Sequence, residues 1–497
     1  MENIVSGLSI LFSVQSIIFL VLGLLVGFVV GALPGFSSSN AVAVMLPLTI
    51  GLDLEAALIF MASIYAGAQF AGAVPAILIN APGTMGAAAT ALDGYPMAQK
   101  GKAAIAIGIA RTASSLGGVI GAIIVLLLIT PMSTIALKFG ALEMFLVALF
   151  GLTLIATIVG DNIRKGAISA TIGLLIAAMS ADPALAQGRF TLGFIELYDS
   201  VPFVPILIGL FAVTEMIFLS KKTSLVTQNI NHGKTSFKDV IEGIKETLKY
   251  PKDIVRAALI GTGIGMIPGV GTATSNFISY GIAKKSSKNK DFFGKGAPEG
   301  IIASEACDSA VTSGTMIPTL TLGVPGSATA AIMLAAFYLN GIRPGPQIMV
   351  DQAPEAYAII LAIGLASILI LPIGILLATP MVSITRVPPY FLVPIILLLC
   401  VVGAFAVGNS VFNIGLMFLF GIIGVIMRIN DYPVVPLVLA LILGPIAEGN
   451  FVRAYMLSQG EISYFFGSTI ALVLWAIIVV SLFSGLIKKG FQRLKGR

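Results

Sequence analysis

A chain of 497 residues in which 57% of the side chains are hydrophobic and only 10% charged, at a mean hydropathy of +1.02, lies far from the composition of water-soluble domains. Two cysteines and one histidine exclude a disulfide framework, a cysteine-rich metal centre and histidine-based catalysis. The net charge of +6 is concentrated in the central and C-terminal polar stretches, where contact with anionic lipid accounts for it without any nucleic acid.

Taken from the N-terminus, Glu2 is followed by no early basic residue, so the first apolar segment is expected to remain rather than to be cleaved as a signal peptide. Apolar runs of roughly 20 residues, each able to span about 30 Å of hydrocarbon, then fill nearly the whole chain. The first of them, Ile17 to Ile50, is interrupted by Gly27, Gly31, Pro34 and Gly35, and is expected to enter the membrane and return as a hairpin. A second break follows at Asn80-Ala81-Pro82-Gly83-Thr84, then the basic pair Lys100 and Lys102, then a helix opening Pro202-Phe203-Val204-Pro205. The polar stretch Lys221 to Lys252, which holds His232, is too short and too poor in core residues for a domain; it is expected to link two halves, and an amphipathic surface helix fits within it.

The same features then recur. Gly261, Gly265, Pro268 and Gly269 repeat the first break at a constant offset of 234 positions. Gly323-Val324-Pro325-Gly326-Ser327 repeats the second, and Pro433-Val434-Val435-Pro436 repeats the third motif. The loop charges alternate in the opposite sense. Asp53 and Glu55 follow the first hairpin, whereas Lys284, Lys285, Lys288, Lys290 and Lys295 follow its counterpart. Lys100 and Lys102 correspond to a loop with Arg343, Asp351 and Glu355, and Lys221 and Lys222 to one with Glu448, Arg453 and Glu461. Because basic residues favour cytoplasmic loops, this pattern predicts an all-α polytopic membrane protein of two inverted-topology repeats with broken helices and re-entrant hairpins, about eleven crossings plus two hairpins. The expected divisions are a first membrane repeat over 1–220, a cytoplasmic linker over 221–256, a second repeat over 257–460, and an additional C-terminal helix with a basic tail over 461–497. The N-terminus is then outside and the C-terminus cytoplasmic. Cys307 and Cys400, in apolar surroundings, are expected as core thiols.

Proline and glycine at membrane depth release backbone groups that hydrocarbon cannot satisfy, so such breaks are buried in protein or line a watery cavity. Paired breaks at repeat-related positions point to a substrate site near the midplane. The candidate binding residues are therefore Pro34, Gly35, Ser37, Ser38, Ser39 and Asn40; Asn80, Pro82, Gly83 and Thr84; Pro268, Gly269, Thr272, Thr274, Ser275 and Asn276; and Pro325, Gly326, Ser327 and Thr329. A helix restarting after each break would turn its free N–H groups toward an anion, with neutral hydroxyls and amides beside them. The alternative is that the glycines serve close helix packing and the hydroxyls satisfy loosened backbone. Glu305 and Asp308, three apart and so on one helical face, are the candidates for ion coupling. They suit a proton carrier or, with freed carbonyls, a sodium site; the bland alternative is that Glu305 hydrates at the interface. Glu143, Glu215 and Glu448 fall near predicted helix ends and are expected to be structural.

The stretches Tyr65 to Lys102 and Gly261 to Met349 resemble the large permease subunit of the tripartite tricarboxylate transporters. The resemblance is carried by Leu92-Asp93-Gly94-Tyr95-Pro96-Met97-Ala98, the Gly-x-x-Pro-Gly tips, Pro298-Glu299-Gly300, Glu305, and Ile317 through Gly326. It implies a bacterial inner-membrane permease that imports a small carboxylate such as citrate by proton or sodium symport, together with a small membrane subunit and a periplasmic solute-binding protein. It implies no cofactor and no enzymatic activity. Members commonly carry an acid just after the Pro-Gly tips, where this chain has Thr84 and Ser327, and small or amide residues where it has Cys307 and Asp308; Asp308 then stands as a replacement for the lost acid. The remaining readings are a stand-alone carrier for another organic solute and a passive channel. No His-Glu-x-x-His, Gly-x-Ser-x-Gly or phosphate-binding loop occurs in the sequence.

Overall fold

A computed structural model describes residues 2–33, 36–158, 163–182, 187–198, 200–221, 237–377 and 389–495; Pro34, Gly35, Lys222 and His232 lie outside them. In chain order the first half forms α1 (Glu2–Leu11), α2 (Val14–Gly31), α3 (Ser38–Met45), α4 (Leu54–Ala71), α5 (Ala73–Ile79), α6 (Ala87–Met97), α7 (Ala103–Ala136), α8 (Ala141–Ile158) and α9 (Ile163–Ala177). Two short antiparallel strands, β1 (Ser180–Ala181) and β2 (Gly188–Arg189), precede α10 (Phe203–Leu207), which runs through a π-helical turn into α11 (Thr214–Ser220). The polar stretch contains α12 (Phe237–Thr247). The second half forms α13 (Pro251–Gly265), α14 (Gly271–Ser286), α15 (Pro298–Gly314), α16 (Met316–Leu322), α17 (Ala328–Leu339), α18 (Ile348–Asp351), α19 (Ala353–Leu376), α20 (Pro389–Ala406), α21 (Val411–Ile429), α22 (Val434–Ser458) and α23 (Thr469–Lys495). The protein is an all-α polytopic membrane fold, and among the described residues 7 helices are long and apolar enough to cross a bilayer.

Packing does not follow the two sequence halves. One compact unit comprises Met1–Ser133 with Val204–Val425, and the other comprises Thr134–Phe203 with Ile426–Arg497. In the first unit α2 lies along α4, and α13 lies along α15. These pairs are close because glycines of one helix face the backbone of the other. A Cβ on Gly27 would stand 2.7 Å from the carbonyl oxygen of Ile64, and one on Gly265 would stand 2.9 Å from that of Val311. The third member of each cluster recurs too. A Cβ on Gly83 would stand 2.6 Å from Gly31 O, and one on Gly326 would stand 2.8 Å from Gly265 O.

The second break is built alike in both halves. α5 stops at Asn80 with φ 53°, and α16 stops at Gly323 with φ 68°, both left-handed. The chain then folds back so that Ala81 N donates to Pro75 O and Val324 N to Pro318 O, each at 3.2 Å. The polar stretch contributes more than a surface helix: Val240, Gly243 and Thr247 of α12 are buried, and Gly243 faces the Ile105 carbonyl of α7 so closely that a Cβ would not fit.

In the second unit α8 and α9 pack on α22, and α23 packs on α8 around Leu142, Leu146, Ala454, Ala471 and Ile478. Arg189 of β2 forms a two-pronged ion pair with Glu448 at 2.7 and 2.9 Å. Beside it, Phe145, Leu174, Ala177, Gly444 and Phe451 line an apolar cavity of about 460 Å³. Cys307 and Cys400 are buried free thiols.

Candidate functional site

The site grows from α15. Every residue from Glu299 to Gly314 is buried, although the run includes Ser304, Glu305, Asp308, Ser309, Thr312 and Ser313. A helix that is polar and yet buried on all sides must find partners on its neighbours. Glu305, 1% exposed, accepts from the Thr90 hydroxyl of α6 at Oε1 and from the Ser114 hydroxyl of α7 at Oε2, the latter at 2.8 Å. Thr90 Oγ1 also lies 2.9 Å from Ser304 Oγ.

One turn on, Asp308 is 2% exposed. Gln69 Nε2, on α4, reaches both its oxygens at 3.0 and 2.9 Å, and Asn276 Nδ2, on α14, reaches Oδ1 at 2.6 Å. Gln69 Oε1 in turn accepts from Ser38 Oγ at 2.7 Å, and the Ser38 and Ser39 hydroxyls each lie 3.0 Å from Thr329 Oγ1 at the start of α17. Tyr65, one turn before Gln69, places its hydroxyl 3.1 Å from Ser327 Oγ and 3.4 Å from Thr315 Oγ1.

Three of the four break regions contribute to this unit of structure, and the backbone just after the other packs against it. Ser38 and Ser39 come from the first. Just after the second comes Gly86, where a Cβ would run into the Asp308 carboxylate and the Asn276 amide. The third brings Asn276, and its Gly269 N–H donates to Gly326 O of the fourth at 3.2 Å. The fourth also brings Ser327 and Thr329.

Other sequence candidates have local duties. Ser37 caps α3 by accepting from Asn40 N, Thr84 accepts from Ala87 N at the head of α6, and Ser327 caps α17 by accepting from Ala330 N. The Ser275 hydroxyl donates to backbone carbonyls of its own helix, at Gly271 and Thr272. Asn40, Gly83, Pro268 and Pro325 are buried, Pro82 and Thr272 are half-buried, and Asn80 and Thr274 are exposed. Sequence reasoning missed Gln69, Thr90 and Ser114, which the structure brings to the two acids, and the Tyr65 hydroxyl, which it brings to Ser327 and Thr315.

A further buried carboxylate stands on α6. Asp93 Oδ1 accepts from the backbone N–H groups of Gly294, Gly296 and Ala297, each at 2.8 Å, while Oδ2 accepts from the Tyr280 hydroxyl at 2.8 Å. These three N–H groups belong to the turn that delivers the chain into α15. Asp93 therefore sets the start of α15 against α6, one helical turn from the Thr90 that reaches Glu305.

Among the described residues, no group of three or more His, Cys, Asp or Glu converges as a multidentate metal centre. The arrangement offers two carboxylates inside a shell of neutral donors, which can hold an ion or a polar solute.

Comparison with known proteins bears on the same residues. The pattern that describes the tripartite tricarboxylate transporter TctA family matches residues 17–439. The chain is similar to an uncharacterised 52.8 kDa protein from the 3′ region of TAR-I ttuC′ in Agrobacterium vitis, 31% identical over 485 residues, covering 96% of this chain and 95% of that one. It is also similar to an uncharacterised protein from the TAR-II ttuC′ 3′ region of the same organism, 32% identical over 212 residues, 42% of this chain and 87% of the relative. No solved structure matches.

Proposed function

This chain belongs to the tripartite tricarboxylate transporter TctA family, a family of transporters and not of enzymes, and from that premise we propose that it imports a small carboxylate by cation symport across a bacterial inner membrane. The observation that carries the reading is the convergence of three helix breaks, and of the backbone just after the remaining one, on one buried set of hydroxyls, amides and carboxylates around Asp308 and Glu305. Ser38, Ser39 and Thr329 supply neutral polar groups for a carboxylate solute, and the two acids supply the coupling charge. Two halves related by inverted topology would then rock about the breaks to expose the site alternately to each side. A periplasmic binding protein captures the solute, and a small membrane subunit completes the permease.

The experiment is carboxylate uptake into proteoliposomes carrying the full chain, with and without its binding protein, under separately imposed proton and sodium gradients. Accumulation that requires the binding protein and one of the gradients is the expected result. Gradient-driven uptake by the chain alone would remove the binding protein from the reading, and uptake that only equilibrates would replace transport by passive conduction.

A further inference from the structure

The amides around Asp308 are arranged for a carboxylate that accepts and does not donate. Gln69 cannot turn without loss, because its Oε1 already receives the Ser38 hydroxyl, so its N–H groups are committed to Asp308. Three such contacts match an ionised acid. A buried anion calls for a compensating positive charge, and among the described residues none of the ion pairs involves Asp308.

Beside this charge stands an acceptor with no donor. Asn276 is 0% exposed, and its Oδ1 has no hydrogen-bond partner although its Nδ2 bonds Asp308 Oδ1. A buried amide oxygen thus stands idle within one amide group of the carboxylate, an unfavourable state for a polar atom shut away from water. The backbone at Gly86 packs so closely on the Asp308 oxygen and the Asn276 nitrogen that a Cβ there would strike both, which holds the two groups side by side.

Carboxylate, amide and hydroxyl oxygens are hard ligands, suited to cations that do not seek nitrogen or sulfur. Asp308 supplies one formal negative charge where it meets Asn276, and the nearby Ser38, Ser39 and Thr329 are neutral, so the ligands at that point suit one positive charge, with Glu305 one turn away contributing its charge from outside the ligand set. Glu305 has both its oxygens engaged by Thr90 and Ser114 and is not needed as a ligand. We infer that Asp308 and Asn276 hold a sodium ion, and that this ion, rather than a proton, is the coupling cation. The inference rests on the symport reading above and names its ion and its ligands.

The test is binding, measured apart from transport. Thermal unfolding of the detergent-solubilised full chain is followed as sodium chloride replaces choline chloride or potassium chloride at constant ionic strength and pH, and radioactive sodium is titrated in parallel. A saturable stabilisation by sodium alone is expected. Asp308→Asn and Asn276→Ala should each weaken apparent sodium affinity by roughly tenfold or more, whereas Glu448→Gln, in the other packing unit, should leave it unchanged. If Asp308→Asn does not fold, Asn276→Ala decides. A wild-type chain indifferent to sodium, or a sodium response intact in the folded variants, overturns the assignment. Uptake driven by a proton gradient alone would do so while leaving the symport reading in place, and an absence of uptake under every gradient would instead overturn that reading.

Discussion

Asp93 accepts four hydrogen bonds while fully buried, and three of its donors are backbone N–H groups with nowhere else to turn. Deleting the carboxylate strands those donors, and each buried unmade bond costs about 1–3 kcal/mol. Asp93→Ala is therefore expected to lose about 3 kcal/mol or more of stability, with Asp93→Asn, which keeps an acceptor oxygen, falling between it and wild type; thermal unfolding in detergent checks the order. The residue scale is also where sequence reading ran shortest. Glu305 and Asp308 can be picked out because charge at membrane depth is costly. Gln69, Thr90 and Ser114 cannot, since a neutral polar group in an apolar helix has a bland use in bonding its own backbone. What gives Ser114 its role is a partner 191 residues away, and for Gln69 it is one 239 residues away. Asp93 is visible in the sequence only as a member of a motif, with no hint that its partners are N–H groups.

Among the elements, the helix breaks were the legible part, because Pro-Gly pairs recurring in two halves leave a pattern that composition alone does not. Their closing geometry was not legible. Asn80 and Gly323 occupy equivalent left-handed positions with φ of 53° and 68°, but one is asparagine and the other glycine. Asparagine tolerates that region and glycine adopts it freely, whereas a β-branched residue does not. Asn80→Gly should therefore leave stability within about 0.5 kcal/mol of wild type, and Gly323→Asn should be nearly as well tolerated. Gly323→Val should cost about 1–3 kcal/mol. Comparing the unfolding midpoints of the three variants tests whether both turns share one backbone requirement.

At the scale of the molecule, the charge pattern of the loops predicts which residues share a side of the membrane. One contact bears directly on it. Lys100 Nζ donates to Lys295 O at 2.6 Å and lies 5.1 Å above the Phe292 ring, so two of the basic loops meet. Single cysteines placed at the exposed positions Lys102 and Lys288 should react with an impermeant thiol reagent only from the cytoplasmic face, and one at Asp351 only from outside. The buried native thiols give little background. Labelling of all three from one side would refute the inverted arrangement. The helical membrane class and the duplicated breaks could be read from the sequence, but the division into packing units could not, since periodicity reports which face of a helix is apolar and not which distant helix covers it.

That division has a consequence for how the chain is made. The first unit takes Met1–Ser133, sets aside the next stretch, and resumes at Val204. A ribosome delivers Ser38, Gln69, Thr90 and Ser114 to the membrane long before α15 exists. Until the acids of α15 arrive, the early helices hold a polar lining with no counterpart, in a solvent that offers none. The protein is thus assembled around its own late segment, and the helix that carries Glu305 and Asp308 also ends the wait of the helices made before it.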